Sequence, residues 1–460
     1  MEAVLEQVEA VRKGFHAGAL VELNARRTQL ERLRAMLQDH AGDFADALRV
    51  DLGKSAIEAR LTETGFLLNE IGHTLKHLER WARPTKVRLP LQLGPGRARI
   101  VPEPLGTVLI IAPWNYPLQL TLAPLVAALA AGNTAVLKPS EVAPATSAAL
   151  ARFVAEYLDP NVVRVVEGGV PETTALLALR WDHIFYTGNG EVGRVVLRAA
   201  AEHLTPTTLE LGGKSPAIVT AAAHVQVSAR RIAWGKFTNA GQTCIAPDYV
   251  LVDEALADRF VAALVAEVEA MYGRDPSTSA DYGRIVNTRH VDRLRTLLDG
   301  GGYASVATGG TVDAAARYIA PTVVTGVDPS SPLMADEIFG PILPVLTCAH
   351  GVTEAIEFVN ARPKPLALYV FSGDPAEVDR VVAEVPAGGV TVNHALMHVA
   401  VPDLPFGGVG PSGMGAYHGK AGFDLFSHRK PVLTRTFRPD PAIAYPPYTK
   451  WKQRLLKKLF

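Results

Sequence analysis

From Pro104 to Leu137 no side chain carries a charge. A stretch of that length is enough to cross a bilayer. Three prolines, Pro113, Pro117 and Pro124, interrupt it, and Asn115, Gly132 and Asn133 stand where a chain turns. The run therefore divides. Residues 106–112 read as a buried strand, 117–131 as a buried helix and 134–137 as a second strand. This is a βαβ unit with strands apolar on both faces, as in a parallel sheet covered by helices, and the membrane-spanning reading is set aside.

The rest of the chain fits that frame. At roughly 150 residues per domain, 460 residues make about three domains. Residues 1–82 are charge-rich and helical in pattern, with Leu30, Leu33 and Leu37 on one stripe. Residues 83–103 carry Gly94-Pro95-Gly96 between two β-like arms and read as a hairpin excursion. Strands are expected at 162–166, 182–187 and 207–211, with a helix at 191–204. A second α/β region follows Gly213, with a helix at 256–271 and strands at 322–325 and 344–347. The alternation implies a doubly wound parallel sheet. Residues 431–437 read as a further strand, and 445–460 form a short, basic, amphipathic tail.

Lys+Arg and Asp+Glu are both 46, so the formal net charge is zero. That excludes binding to nucleic acid through bulk positive charge. Two cysteines, Cys244 and Cys348, exclude a disulfide scaffold and fit a reducing compartment. The N-terminus has no basic region followed by an apolar core, so no signal peptide is expected and the location is read as cytoplasmic.

Several residues can carry chemistry. Cys244 sits among small and turn-forming neighbours in NAGQTCIAP, 239–247. A thiolate there can attack a carbonyl carbon; a buried structural thiol is the alternative. Cys348, at the end of an apolar strand, reads as structural. Glu210 lies in an apolar strand that ends at Gly212-Gly213, the edge where parallel sheets place their sites. It reads as a general base, a ribose ligand or a partly exposed strand carboxylate. Residues 188–193, GNGEVG, match the glycine pattern that opens a helix toward a phosphate. Lys138 and Glu141 follow a strand and can hold ribose hydroxyls, or are ordinary loop charge. The pairs His73/His77 and His394/His398 have helical zinc-ligand spacing. Neither has a Glu after the first His or a third ligand nearby, so no metal site is expected.

Taken in order, the motifs resemble the NAD(P)-dependent aldehyde dehydrogenase superfamily. They are PWNYP at 113–117, KPSE at 138–141, YTGNGEVG at 186–193, LELGGKSP at 209–216, GQTC at 241–244, EIFGP at 337–341 and PFGG at 405–408. The resemblance runs from about residue 20 to about residue 435. The runs GPSGMGAYHGK at 410–420 and FSHR at 426–429 are similar to the class 3 branch, which handles medium- and long-chain aliphatic and aromatic aldehydes.

The resemblance implies an α/β fold: a Rossmann-type cofactor domain (1–82 and 104–209), an α/β catalytic domain (210–395) and a β oligomerisation arm (83–103 and 428–440). Residues 396–427 return to the cofactor domain, and 441–460 are the tail. It implies that Cys244 is the nucleophile, that Asn115 with the Cys244 N–H stabilises the oxyanion, and that Glu210 activates the water that hydrolyses a thioester. Lys138 and Glu141 take the adenosine ribose, and Glu337 and Phe339 the nicotinamide side. Gly188 and Gly193 open the helix near the pyrophosphate, and Trp114, Asn189 and Leu211 complete the cofactor set. Asn189 stands where much of the superfamily has Ser. Glu141 disfavours a 2′-phosphate, so NAD is expected to be favoured, with NADP also used because Lys138 compensates.

The expected partners are a small-molecule aldehyde and a second copy of the chain, as a homodimer. The tail reads in three ways: a peripheral contact with the inner membrane surface, a cover over a neighbouring subunit's substrate entrance, or a solvated terminus. Three rival functions are an acyl-CoA-forming relative, a thiol hydrolase with a histidine base, and a non-enzymatic nucleotide-fold protein. Glu210 argues against the first, and no His lies near Cys244 in sequence for the second.

Overall fold

The computed structural model describes residues 2–90, 93 and 95–459. It opens with helices Glu2–His16, Leu23–Asp39 and Ala41–Leu52. A short helix, Ala56–Ala59, runs into a π-turn, Arg60–Thr64, and on into the helix Gly65–Ala82. Leu30, Leu33 and Leu37 are all buried, as the apolar stripe requires.

Thr85–Val87 (β1) pairs antiparallel with Gly96–Pro104 (β2), as the hairpin reading expects. Gly94 of the anticipated turn lies outside the described residues. Thr107–Ile111 (β3), Thr134–Lys138 (β4), Val163–Val165 (β5), His183–Thr187 (β6) and Thr207–Glu210 (β7) then build a parallel sheet. β3 and β4 are buried at every position, and so is the whole helix Gln119–Ala131 between them. Gly132, at φ 95°, ends that helix in a conformation glycine adopts without strain.

The sheet runs β7-β6-β3-β4-β5. Winding proceeds outward from β3 to β5, then returns to β6 on the other side of β3. The strand order reverses between β3 and β6, and the carboxyl ends there frame the crevice where such sheets bind ligands.

A second sheet is built from Pro216–Val219 (β8), Tyr249–Asp253 (β9), Ser305–Thr308 (β10), Thr322–Thr325, Ile342–Cys348, Ala367–Phe371 and Gly389–Val392. It is parallel except for β10, which pairs antiparallel at one edge. The strand Gly413–Met414 then pairs with β7, setting Gly413 opposite Glu210. Ser427–Arg435 pairs antiparallel with β2 along its whole length, making a three-stranded arm with β2 at its centre.

One expectation needs correction. The helix expected at 191–204 is Gly190–Ala201. Leu204 takes a left-handed φ of 53°, and the N–H groups of Leu204 and Thr205 turn back onto Ala201 and Ala200, which ends the helix early. His394 and His398 do not share a helix. His394 follows the strand Gly389–Val392, and His398 lies in the 3₁₀ turn Met397–Ala400. Among the described residues no helix is long and apolar enough to cross a membrane. Among the same residues, no group of three or more His, Cys, Asp or Glu could hold a metal ion.

Candidate active site

A cavity of about 500 Å³ opens where the strand order reverses. Pro113, Trp114 and Asn115 enter it after β3, and Gly188 and Asn189 after β6. The loops that lead into the second-sheet strands Tyr249–Asp253 and Ile342–Cys348 contribute Cys244, and Glu337 with Phe339. Glu210 and Leu211, at the end of β7, complete the wall.

Cys244 is carried by a strained loop. Asn239, Ala240 and Gly241 take φ of 53°, 52° and 75° in succession. A Cβ at Gly241 would lie 2.3 Å from the Gly340 carbonyl oxygen. Such conformations persist only where the surroundings over-determine them. Here Gln242 does much of that: its Nε2 donates to the carbonyls of Asn239 (2.9 Å) and Arg284 (3.0 Å), and its Oε1 accepts from Val286 N at 3.0 Å. The Cys244 side chain is half-buried. Burial, then the carboxyls of Glu337 and Glu210, push its thiol pKa up.

Glu210 is buried, and neither carboxyl oxygen has a hydrogen-bond partner. Burial pushes its pKa well above the usual carboxylate value, because a charge there has neither water nor a hydrogen-bond donor to stabilise it. This removes the partly exposed strand reading. Asn115 is buried, and its Nδ2 donates to the Gln242 carbonyl at 3.0 Å, leaving the second amide hydrogen for another acceptor.

Glu337 and Phe339 lie on a held loop. Phe339 has φ 48°, rare for a bulky residue. Arg293 donates to the carbonyls of Ile338 and Phe339 at 2.8 and 3.2 Å, and Asp248 accepts from Ile338 N at 3.1 Å. The Phe339 ring meets Trp114 edge-on at 5.4 Å. A Cβ at Gly212 would lie 1.9 Å from a Glu337 oxygen, so glycine there makes room for that carboxyl.

A second cavity, of about 260 Å³, reaches Cys244 and Leu120 from the other side. Its wall is mostly apolar, with Phe66, Trp234, Ile245, Leu396, Val399 and Phe406, and it holds no charged side chain. Cys244 thus lines both a chamber that holds charged side chains and one that holds none. A larger cavity, of about 800 Å³, lies among Glu269, Arg274, Asp275 and Tyr318 and contains none of these groups.

Lys138, Glu141 and Gly193 do not line the 500 Å³ cavity. Lys138 ends β4 with its side chain buried, its Nζ 2.7 Å from the Pro139 carbonyl and 3.5 Å from Glu141. It is not ordinary loop charge. Gly193 lies inside the helix Gly190–Ala201, where a Cβ would press on Leu211 at 3.1 Å, so it serves close packing of helix on sheet. The helix start itself is capped by Asn189, whose Oδ1 accepts from Val192 N at 2.9 Å.

Sequence reading passed over several residues here. His290 and Arg293 line the 500 Å³ cavity, and His290 packs on Trp114 at 5.1 Å. Burial, then Arg293 and Arg289, hold the His290 pKa down at about 4. Beneath the site lie Lys54, Glu58 and Glu63. No local pattern marks them, because the contacts that join them to the cysteine loop lie far apart in the chain.

The Aldehyde dehydrogenase family profile matches residues 1–432. The chain is 47% identical over 449 residues to "Aldehyde dehydrogenase, dimeric NADP-preferring" of Rattus norvegicus, covering 97% of this chain and 98% of that one. It is 48% identical over 462 residues to "Aldehyde dehydrogenase family 3 member A2" of the same species, covering 99% and 94%. The solved structure "Substrate bound state of Staphylococcus Aureus AldH" superposes with a TM-score of 0.96 at 44% identity, covering 99% of both chains. The chain belongs to the aldehyde dehydrogenase family, as an oxidoreductase that converts aldehydes to carboxylic acids with NAD or NADP.

Proposed function

We propose that Cys244, Asn115 and Glu210 carry out the oxidation, and that the preferred aldehydes are medium- or long-chain aliphatic or aromatic. The observation that carries this is that Cys244 lines both the chamber that holds charged groups and the one that holds none. An apolar aldehyde entering the second chamber brings its carbonyl carbon to the sulfur.

Cys244 gives up its thiol proton to solvent, and Sγ adds to that carbon, forming a thiohemiacetal anion with its charge on oxygen. The free Asn115 amide hydrogen, with the Cys244 N–H, meets the developing charge; one such donor is worth about 3 kcal/mol. NAD or NADP, when bound, supplies the oxidant, and two electrons leave the adduct as hydride. The result is a thioester on Cys244. Glu210, once ionised, takes a proton from water, whose oxygen attacks the thioester; the acid leaves and the thiol is restored.

The residues present fit a dinucleotide. A Cβ at Gly188 would overlap the Tyr186 hydroxyl at 2.2 Å, so a close backbone turn is built at the crevice. Trp114, Gly188, Asn189, Leu211, Glu337 and Phe339 would hold the nicotinamide half and pyrophosphate, and Lys138 and Glu141 the adenosine ribose. Glu141 favours NAD, and the rat relative is named as NADP-preferring, so both cofactors are assigned, with NAD ahead.

We read 1–82 and 104–209 as the cofactor domain, 210–395 as the catalytic domain, 83–103 and 428–440 as the oligomerisation arm, 396–427 as the return segment and 441–460 as the tail. The arm leaves β1 and the strand Ser427–Arg435 as exposed edges, which supports a homodimer. The helix Lys450–Leu459 exposes Trp451 and Leu455 among lysines, which supports a peripheral contact with an anionic, cytoplasmic-side membrane surface.

The deciding experiment is a kcat/KM panel across aliphatic and aromatic aldehydes with both cofactors. The expected result is a rise with chain length and a higher value with NAD; no dependence on chain length would overturn the substrate reading.

A further inference from the structure

Asn115 sits in a buried knot of hydrogen bonds whose far side is charged. Its backbone carbonyl accepts from Lys54 Nζ at 3.1 Å and from Asn239 Nδ2 at 2.8 Å. Lys54 Nζ also donates to Glu63 Oε1 at 2.6 Å and lies 3.9 Å from the centre of the Tyr116 ring. The other Glu63 oxygen accepts from the backbone N–H groups of Leu118 (3.0 Å) and Gln119 (2.8 Å). Both charged side chains are fully buried, and neither lines either chamber.

The pair therefore grips one short backbone segment from two directions. The ammonium holds the carbonyl of Asn115, and the carboxylate holds the amides three and four residues later. A buried ion pair is a weak source of stability, because desolvation of both ions offsets their attraction. Fixing a backbone direction is a use such a pair does serve, since each ion fills several directional hydrogen bonds at once.

The π-turn Arg60–Thr64 explains how Glu63 reaches this place. On an α-helix, residues five apart lie about 140° apart around the axis. In a π-turn, i and i+5 come onto one side. Glu58 and Glu63 then serve the same knot: Glu58 Oε1 accepts from Asn239 N at 2.9 Å, while Glu63 holds Lys54. Leu61 and Thr62, on the same turn, line the apolar chamber.

We propose that the buried Lys54–Glu63 pair is a positioning device for Asn115, setting the direction of its carboxamide against the Cys244 loop. This rests on the reading of Asn115 as the oxyanion donor. Lys54 and Glu63 are positioning residues, acting through the segment they hold.

The test is a double-mutant cycle on the full-length chain. Lys54→Met combined with Glu63→Gln removes both charges, keeps the lysine stem volume and leaves an oxygen for the two amides. It is made in the wild type and in Asn115→Ala. The readouts are the single-turnover rate of NADH formation with octanal, the KM for octanal and the melting temperature. In the wild-type background the rate falls about tenfold with KM within about twofold, as a small misplacement of a catalytic group does. In the Asn115→Ala background the same change alters the rate by less than about twofold. An equal fall in both backgrounds, or no fall in the first, overturns the proposal. If Asn115→Ala itself leaves the rate unchanged, the reading of Asn115 fails and the proposal falls with it. Should the double variant not fold, Glu63→Gln alone carries the test, and its fall must likewise vanish without Asn115.

Discussion

The side-chain amide of Asn115 donates to the carbonyl of Gln242 at 3.0 Å, two residues before Cys244 in the chain. With the bond from Asn239 Nδ2 to the Asn115 carbonyl, it ties the loop after β3 to the strained loop after the helix Val225–Phe237. The amide is held on one hydrogen and free on the other, a pre-set donor of the kind that costs no reorganisation as charge develops.

Asn115→Ala should therefore lower kcat by about a hundredfold to a thousandfold. Cofactor affinity, read by quenching of tryptophan fluorescence, should stay within about threefold, because the lost group faces the reacting carbon. Equal losses in kcat and cofactor affinity would place Asn115 among purely structural residues.

Glu210 gives a pH prediction with a definite sign. Burial holds its pKa well above the usual carboxylate value, and the base form is the ionised one. Hydrolysis of the thioester should therefore speed up as pH rises, over a range above the one where an ordinary carboxylate titrates. Glu210→Gln should keep a burst of NADH of one equivalent per site, then stall. A steady rate near wild type in this variant would remove Glu210 from the chemistry.

The apolar chamber predicts a chain-length effect at its mouth. Leu61 is 69% exposed and lines that chamber, so Leu61→Asp should fold normally. It should raise KM for octanal about fivefold, as losing one or two buried methylenes does, and leave propanal unaffected. Equal changes for both aldehydes would mean that long chains do not pass Leu61.

The legible and illegible parts of this protein divide along the physics. The buried strands β3 and β4 and the helix between them show as charge-free runs punctuated by proline and glycine, a local signal. Cys244, Glu210 and Asn115 stand out because glycines and turn residues beside them mark close approach. Gly53 precedes Lys54, but nothing in the sequence joins Lys54 to Glu63 or either of them to Asn115; only their contacts in the folded chain make them a buried pair. The π-turn that aligns Glu58 with Glu63 has no compositional mark. His290 lines the same cavity as Cys244, but 46 positions separate the two and no local pattern joins them.

Glu70 offers a separate test in stability. Its Oε1 accepts from Gly419 N at 2.6 Å, and burial pushes its pKa up to about 7, with Asp403 adding to the rise. The folded chain keeps a proton there that the unfolded chain releases in the ordinary carboxylate range. Its contribution is thus full at acid pH and is lost as pH climbs to about 7. Glu70→Gln keeps an acceptor for Gly419 and does not titrate. Between about pH 5 and about pH 8 the wild type should lose up to about 3 kcal/mol relative to the variant. Parallel melting curves for the two proteins across that range would contradict this assignment.

The most direct measurement is the mass of the enzyme caught in the act. Glu210→Gln mixed with octanal and NAD, quenched in acid and digested, should carry one octanoyl group as a thioester on the peptide containing Cys244, in step with one equivalent of NADH. An unmodified Cys244 peptide alongside full NADH formation, or the acyl group on another residue, would contradict the account.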